Sequence, residues 1–157
     1  MSKPITREEL IDLIALGEDV TKVNTSEITD MSSMFLSDYL FNQDISSWNV
    51  SNVTSMNFMF YEARSFNQDL SKWNVSNVTD MSGMFYKAKS FNQDLSKWNV
   101  GKVIDIKWMF YKAKSFNQDL SKWDISSIEH KLDFFINNIN SSSSSSFRDS
   151  ISFLYYL

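Results

Sequence analysis

Apolar residues in this chain fall on a fixed grid. The ten-residue stretch FNQDLSKWNV, or a near copy of it, begins at Phe41, Phe66, Phe91 and Phe116, at a constant interval. Residues 66–90 and 91–115 agree at 19 of 25 positions, and their differences cluster in 101–108. A constant period of this length is the signature of an array of stacked units, none of which can bury its apolar face alone.

Each unit divides in two. The first half reads Leu70-x-x-Trp73-x-Val75-x-x-Val78, a spacing like the L-x-x-L-x-L strand of leucine-rich repeats with Trp in place of one Leu. Trp73 and Val75 lie two apart, so on a strand both point to one face while Asn74 and Ser76 point away. In the second half, Met81, Met84, Phe85 and Ala88 fall at i, i+3, i+4 and i+7, one stripe of a short amphipathic helix. Thr79 or Asp80 offers an N-cap oxygen, and Lys87 and Lys89 suit a helix C-terminus. FNQD then turns the chain back. The expected fold class is an α/β repeat solenoid, leucine-rich-repeat-like, with one short strand and one short helix per 25-residue coil.

Stacking turns every repeated position into a column. Trp48, Trp73, Trp98 and Trp123 form one, and Phe35, Phe60, Phe85, Phe110 and Phe135 another; Met34, Met59, Met84 and Met109 form a third that ends in Phe134. Such a stripe at helical spacing reads as core rather than as a ligand groove. The columns Asn42/Asn67/Asn92/Asn117 and Asp44/Asp69/Asp94/Asp119 raise a calcium reading. One carboxylate per unit is too few for a calcium loop, so the expectation is Asn bridging neighbouring units and Asp bonding turn amides, with no metal. Lys72, Lys97 and Lys122 offset part of the Asp charge.

The grid breaks at both ends. Residues 1–27 read as an N-terminal cap with a helix over about 6–16: Thr6-x-x-Glu9 matches a capping box, Leu10, Ile11, Leu13 and Ile14 supply an apolar side, and Gly17 a stop. The repeats occupy 28–127. Residues 128–140, with Ile128, Leu132, Phe134 and Phe135, read as a closing half-repeat, and 141–157 as a serine-rich linker and tail. No run approaches the roughly 20 apolar residues a membrane helix needs, and the start MSKPITREELIDLIALGED, whose short apolar run follows Glu8 and Glu9 and is interrupted by Asp12, is unlike a secretory leader.

Composition narrows the chemistry. Formal net charge is −4, from 15 basic and 19 acidic residues, so no chain-wide basic field favours nucleic acid. There is no Cys, which leaves out thiolate metal sites and cysteine nucleophiles, and the single His, His130, leaves imidazole metal clusters and a Ser-His-Asp triad little to draw on. An Asp repeated in every unit is unlike a catalytic pair, which needs two carboxylates in different environments. No catalytic residue, cofactor or metal is therefore expected. An ice-binding threonine row is interrupted, since Thr29, Thr54 and Thr79 are followed by Ile104.

With the unit laid out, NVSNVTDMSGMFYKAKSFNQDLSKW resembles the 25-residue repeat of the DUF285, or BspA-like leucine-rich repeat, proteins of mycoplasmas and other bacteria. The likeness spans about residues 25–136 and rests on V-T-D-M-x-x-M-F followed by F-N-Q-x-L-x-x-W; Ser55, Ile104 and Ile106 depart from it. The resemblance implies display on the cell surface, sometimes as a lipoprotein, with adhesion or host contact as the role. The chain shows no leader or lipobox Cys, so a cytoplasmic setting stands beside that one.

The leading function is then a non-enzymatic interaction module, its partner an unidentified protein or glycan, such as a host surface. The candidate ligand face is the outward side of the strand half: Ser71, Lys72, Asn74 and Ser76, with Ser96, Lys97 and Asn99, then Ser121, Lys122 and Asp124. Its sameness between units suits a ligand with its own repeat, and follows equally from duplication of one DNA segment. The alternative function is a structural scaffold that self-associates through its ends.

Overall fold

The computed structural model describes residues 3–131. Helix α1 runs Arg7–Ala15, and both of its ends are closed by local bonds. Thr6 Oγ1 accepts from the Glu9 amide at 3.1 Å, while Glu9 Oε2 accepts from the Thr6 amide at 2.9 Å. At the other end Gly17, at φ +73°, lets the Glu18 and Gly17 amides reach back to Leu13 O and Ile14 O, the bond pair of a Schellman stop. Arg7 ties α1 to the first unit through its bond to Ser32 O at 2.7 Å.

Residues 20–27 fall in the cap by sequence grouping, yet with Ile28 they make the contacts of a repeated unit. Val20, Val23, Thr25 and Ile28 stand one period before Ile45, Trp48, Val50 and Val53. Val20 O accepts the Trp48 indole N–H at 2.9 Å, as Ile45 O accepts that of Trp73 at 3.1 Å. Thr25 is buried where later units have Val, and its hydroxyl donates to Asn49 O at 2.9 Å. The repeat is hidden there because Val replaces Trp and Thr replaces Val.

The strand and helix expected in each unit do not form. Between residues 20 and 130 there is no α-helix, and extended pairing is limited to isolated bridges. Each unit is instead a run of tight turns. Trp73 N–H closes on Leu70 O at 3.0 Å, and Val78 N–H on Val75 O at 2.9 Å, so Trp73 and Val75 flank two turns rather than sharing a strand. The parallel bridges lie in the T-D-M segment, between Asp30 and Ser55, Ser55 and Asp80, and Asp80 and Asp105.

The segment expected to be helical shows why. Met81, Gly83, Phe85 and Lys87 donate their amides to Asp105, Lys107, Met109 and Tyr111 carbonyls in the next unit, at 2.7–2.9 Å. The amides between them, Met84, Tyr86 and Ala88, bond three residues back. An α-helix would use all of these internally at φ near −63°. Here φ turns positive twice per unit, at Ser33 and Ser37, Phe58 and Glu62, Gly83 and Lys87, and Trp108 and Lys112.

Side chains lock the same stacking. Asn67 Oδ1 accepts from the Asn92 amide and from Gln93 Nε2, both at 2.9 Å, and Asn42 and Asn92 repeat the arrangement. Asp69 and Asp94 Oδ1 accept from the Ser71 and Ser96 amides at 2.8 Å. The core is one cluster running the length of the array. Trp48, Trp73, Trp98 and Trp123 are at most 4% exposed, and Phe60, Phe85 and Phe110 at most 1%. Two Phe columns run side by side: Phe60 and Phe85 stack at 5.4 Å, Phe66 and Phe91 at 6.0 Å, and Phe85 meets Phe91 at 3.9 Å. Ile128 is buried against this cluster; the rest of the expected closing half-repeat from residue 132, with Phe134 and Phe135, and the tail lie outside the described residues.

Candidate functional site

The face expected to bind consists of turn corners. On it Lys72, Asn74, Lys97, Asn99, Lys122 and Asp124 are exposed, while Ser71, Ser76, Ser96 and Ser121 are half-buried. Much of its hydrogen-bonding capacity is already committed. Asn74 Oδ1 accepts from the Ser76 amide at 3.2 Å and from its hydroxyl at 2.7 Å, and Asn99 Oδ1 accepts from the Gly101 amide at 3.1 Å. Asp124 Oδ1 accepts from the Ser126 amide at 3.0 Å. Hydrogen bonds from Ser71 and Ser96 hold the Asp69 and Asp94 carboxyls below the usual carboxylate range. The groups left presented in a row are the ammoniums of Lys72, Lys97 and Lys122.

A second surface, to which the sequence pattern gave no role, lies along the opposite half of the units. Tyr61 and Tyr86 stack at 4.6 Å with 6° between ring planes, and Tyr86 and Tyr111 follow at 5.0 Å. Beside them stand Lys87, Lys89, Lys112, Lys114 and Arg64. Glu62 Oε1 accepts from Lys87 Nζ at 2.6 Å and Oε2 from Arg64 at 2.9 Å. Those bonds lower the Glu62 carboxyl below its ordinary value and raise the Lys87 ammonium above its own. Arg64 also lies over the Tyr39 ring at 4.3 Å, and Lys87 and Lys112 sit 5.3 and 5.1 Å from the Tyr86 and Tyr111 centroids. The clue in the sequence was the recurrence of Tyr and of K-A-K at the same place in successive units. It was masked because those lysines fit an expected helix C-terminus.

A hollow of about 670 Å³ opens between α1 and the N-terminal unit, walled by Ile5, Leu13 and Val23 with Glu9, Asp19 and Lys22 around it. No three His, Cys, Asp or Glu side chains converge to hold a metal among the described residues. His130 is exposed. No described helix is long and apolar enough to cross a membrane.

The repeat that builds these surfaces matches a known family. Residues 8–123 and, in a second overlapping match, 63–147 fit the family described as "Mycoplasma protein of unknown function, DUF285". The chain belongs to the DUF285 family. Membership supplies no ligand and no catalytic residue, because the family's own function is unknown. No curated protein and no solved structure matches this DUF285 chain.

Proposed function

We propose that this DUF285 chain is a non-enzymatic interaction module of a surface-protein type, its units stacked as a solenoid. Supporting the stacking are amide-to-carbonyl bonds that recur several to a unit and parallel bridges that recur once per unit. Adjacent units then lie one strand spacing apart, roughly 4.7–4.9 Å, and any side chain repeated in sequence becomes a straight row.

The observation that carries the binding reading is the row of Lys72, Lys97 and Lys122. Each is exposed at the corner of a turn, and the Asp69, Asp94 and Asp119 carboxylates fix those turns through the following Ser amides at 2.8–2.9 Å. Rows of fixed pitch on a rigid backbone suit an extended or repetitive partner, a glycan or a host protein, at the cell surface.

The test is to pass the full chain over arrays of glycans and matrix proteins, beside the Lys72/Lys97/Lys122→Gln variant. Saturable binding that weakens in the variant is expected. Binding that the variant keeps in full would remove this face from the proposal. Particle size that grows with concentration in light scattering would favour the self-associating scaffold instead.

A further inference from the structure

The chain carries a net charge of −4, yet five of its 15 basic residues gather on one edge. Arg64, Lys87, Lys89, Lys112 and Lys114 line it, and Glu62 is the carboxylate among them. Asp80 and Asp105, at the bridges on the way to the next face, turn an oxygen to the Ser82 and Lys107 amides at 2.8 and 2.9 Å. Running through the cations is the Tyr61–Tyr86–Tyr111 stack. These rings give their faces to one another, so the row presents edges and hydroxyls. The hydroxyls have no hydrogen-bond partner among the described residues and are open to solvent, since no buried side-chain oxygen there lacks one. Trp108, 47% exposed, adds one flat apolar plate near the end of the row.

We propose that this edge docks an acidic polysaccharide, a linear chain of sugars carrying carboxylate or sulfate groups. The Tyr61, Tyr86 and Tyr111 hydroxyls and the Arg64, Lys89 and Lys114 cations form columns side by side, each stepping at the unit pitch of roughly 4.7–4.9 Å, and one pyranose ring advances a linear polysaccharide by a comparable length. Anionic groups pair with Lys89 and Lys114, sugar hydroxyls bond the tyrosine row, and one ring lies on Trp108. A single-stranded nucleic acid fits less well, because bases need free aromatic faces to stack on and the tyrosine faces between neighbouring units are turned to one another. The inference rests on the reading of the chain as an interaction module but uses a different surface from the Lys72 row.

Titration calorimetry of the full chain with polygalacturonate oligomers tests it, with neutral dextran and a thymidine oligonucleotide as comparison ligands. Lys89/Lys114→Gln should bind polygalacturonate roughly fivefold more weakly, from the loss of two exposed ion pairs. Lys3/Lys22→Gln, at two exposed lysines away from both faces and with the same change in net charge, should stay within about twofold of the parent. Glu62→Gln should bind more tightly, because it removes the competing carboxylate. Equal losses in the two lysine variants would reduce the effect to general charge attraction and overturn the proposal. So would oligonucleotide binding as tight as polygalacturonate, or no saturable binding to polygalacturonate. A loss confined to Lys72/Lys97/Lys122→Gln would overturn it while leaving the first face standing.

Discussion

The ring of Phe58 lies against Gly83: a β-carbon added to Gly83 would stand 2.4 Å from both Cδ1 and Cε1 of that ring. The two residues occupy the same position in successive units, and both have positive φ, +55° and +61°. Gly83 is thus required twice over, for its backbone conformation and for the space above it. Gly83→Ala should destabilise the protein by about 2–4 kcal/mol, combining left-handed backbone strain with overpacking. In a Phe58→Ala background the overpacking part should vanish and the backbone part persist. A double-mutant cycle on urea midpoints measures this; additivity would mean that the ring does not oppose the new methyl group.

Trp98 joins two units by packing and by a bond. It is 3% exposed, and its indole donates to Leu70 O at 2.9 Å. Trp98→Ala should cost about 3–5 kcal/mol. Trp98→Phe keeps most of the apolar bulk but removes one of the two donors to Leu70 O, which still accepts the Trp73 amide, for about 0.5–1.5 kcal/mol. Both follow from denaturant unfolding, and a Phe variant as stable as the parent would show the indole bond to contribute nothing.

The Asn column should respond to the loss of its acceptor oxygen even where side-chain size is kept. Asn67 Oδ1 accepts from Asn92 N and Gln93 Nε2. Asn67→Leu, close in size but without an acceptor, should destabilise by roughly 1–2 kcal/mol from the two lost bonds. Amide exchange at Asn92 should quicken in the same variant, and unchanged exchange there would count against the bridging role.

Acid should weaken the fold in a defined direction. Asp44, Asp69, Asp94 and Asp124 sit below their ordinary value of 3.8, held down by hydrogen bonds from Ser46, Ser71, Ser96 and Ser126. A carboxyl whose folded value is depressed stabilises above its unfolded value, and that contribution is lost as pH falls through the folded one. The urea midpoint should therefore be level near neutrality and decline below about pH 4. Asp94→Asn, which keeps an acceptor for the Ser96 amide but carries no charge, should make the decline shallower. Lys87 gives the opposite sign: raised above 10.5 by Glu62, it stabilises below that value and loses its contribution as pH climbs through the folded one.

Much of the candidate binding surface was legible as residue columns, because a constant period places equivalent side chains in register. The Lys72 row was visible in this way. The tyrosine and lysine edge was equally periodic, but Lys87 was read as part of a helix end when it sits at φ +55° on a turn, bonded to Glu62 in the previous unit. Only the geometry showed that Tyr86 spends its ring faces on Tyr61 and Tyr111 and offers a hydroxyl outward.

The sequence by itself determined the period, the inward columns of Trp98 and Phe85, and helix α1, whose Thr6, Glu9 and Gly17 signals act within a few residues of one another. Tertiary structure decided what lies between. The apolar spacing of Met81, Met84, Phe85 and Ala88 fits a helix, and it fits equally well a chain of turns whose corners point inward. The choice depends on whether the amides of Met81, Gly83, Phe85 and Lys87 bond within their own unit or to the next. Neighbouring units supply the carbonyls that win, and they hold Phe58 and Trp108 at positive φ, which no local preference of those residues would indicate.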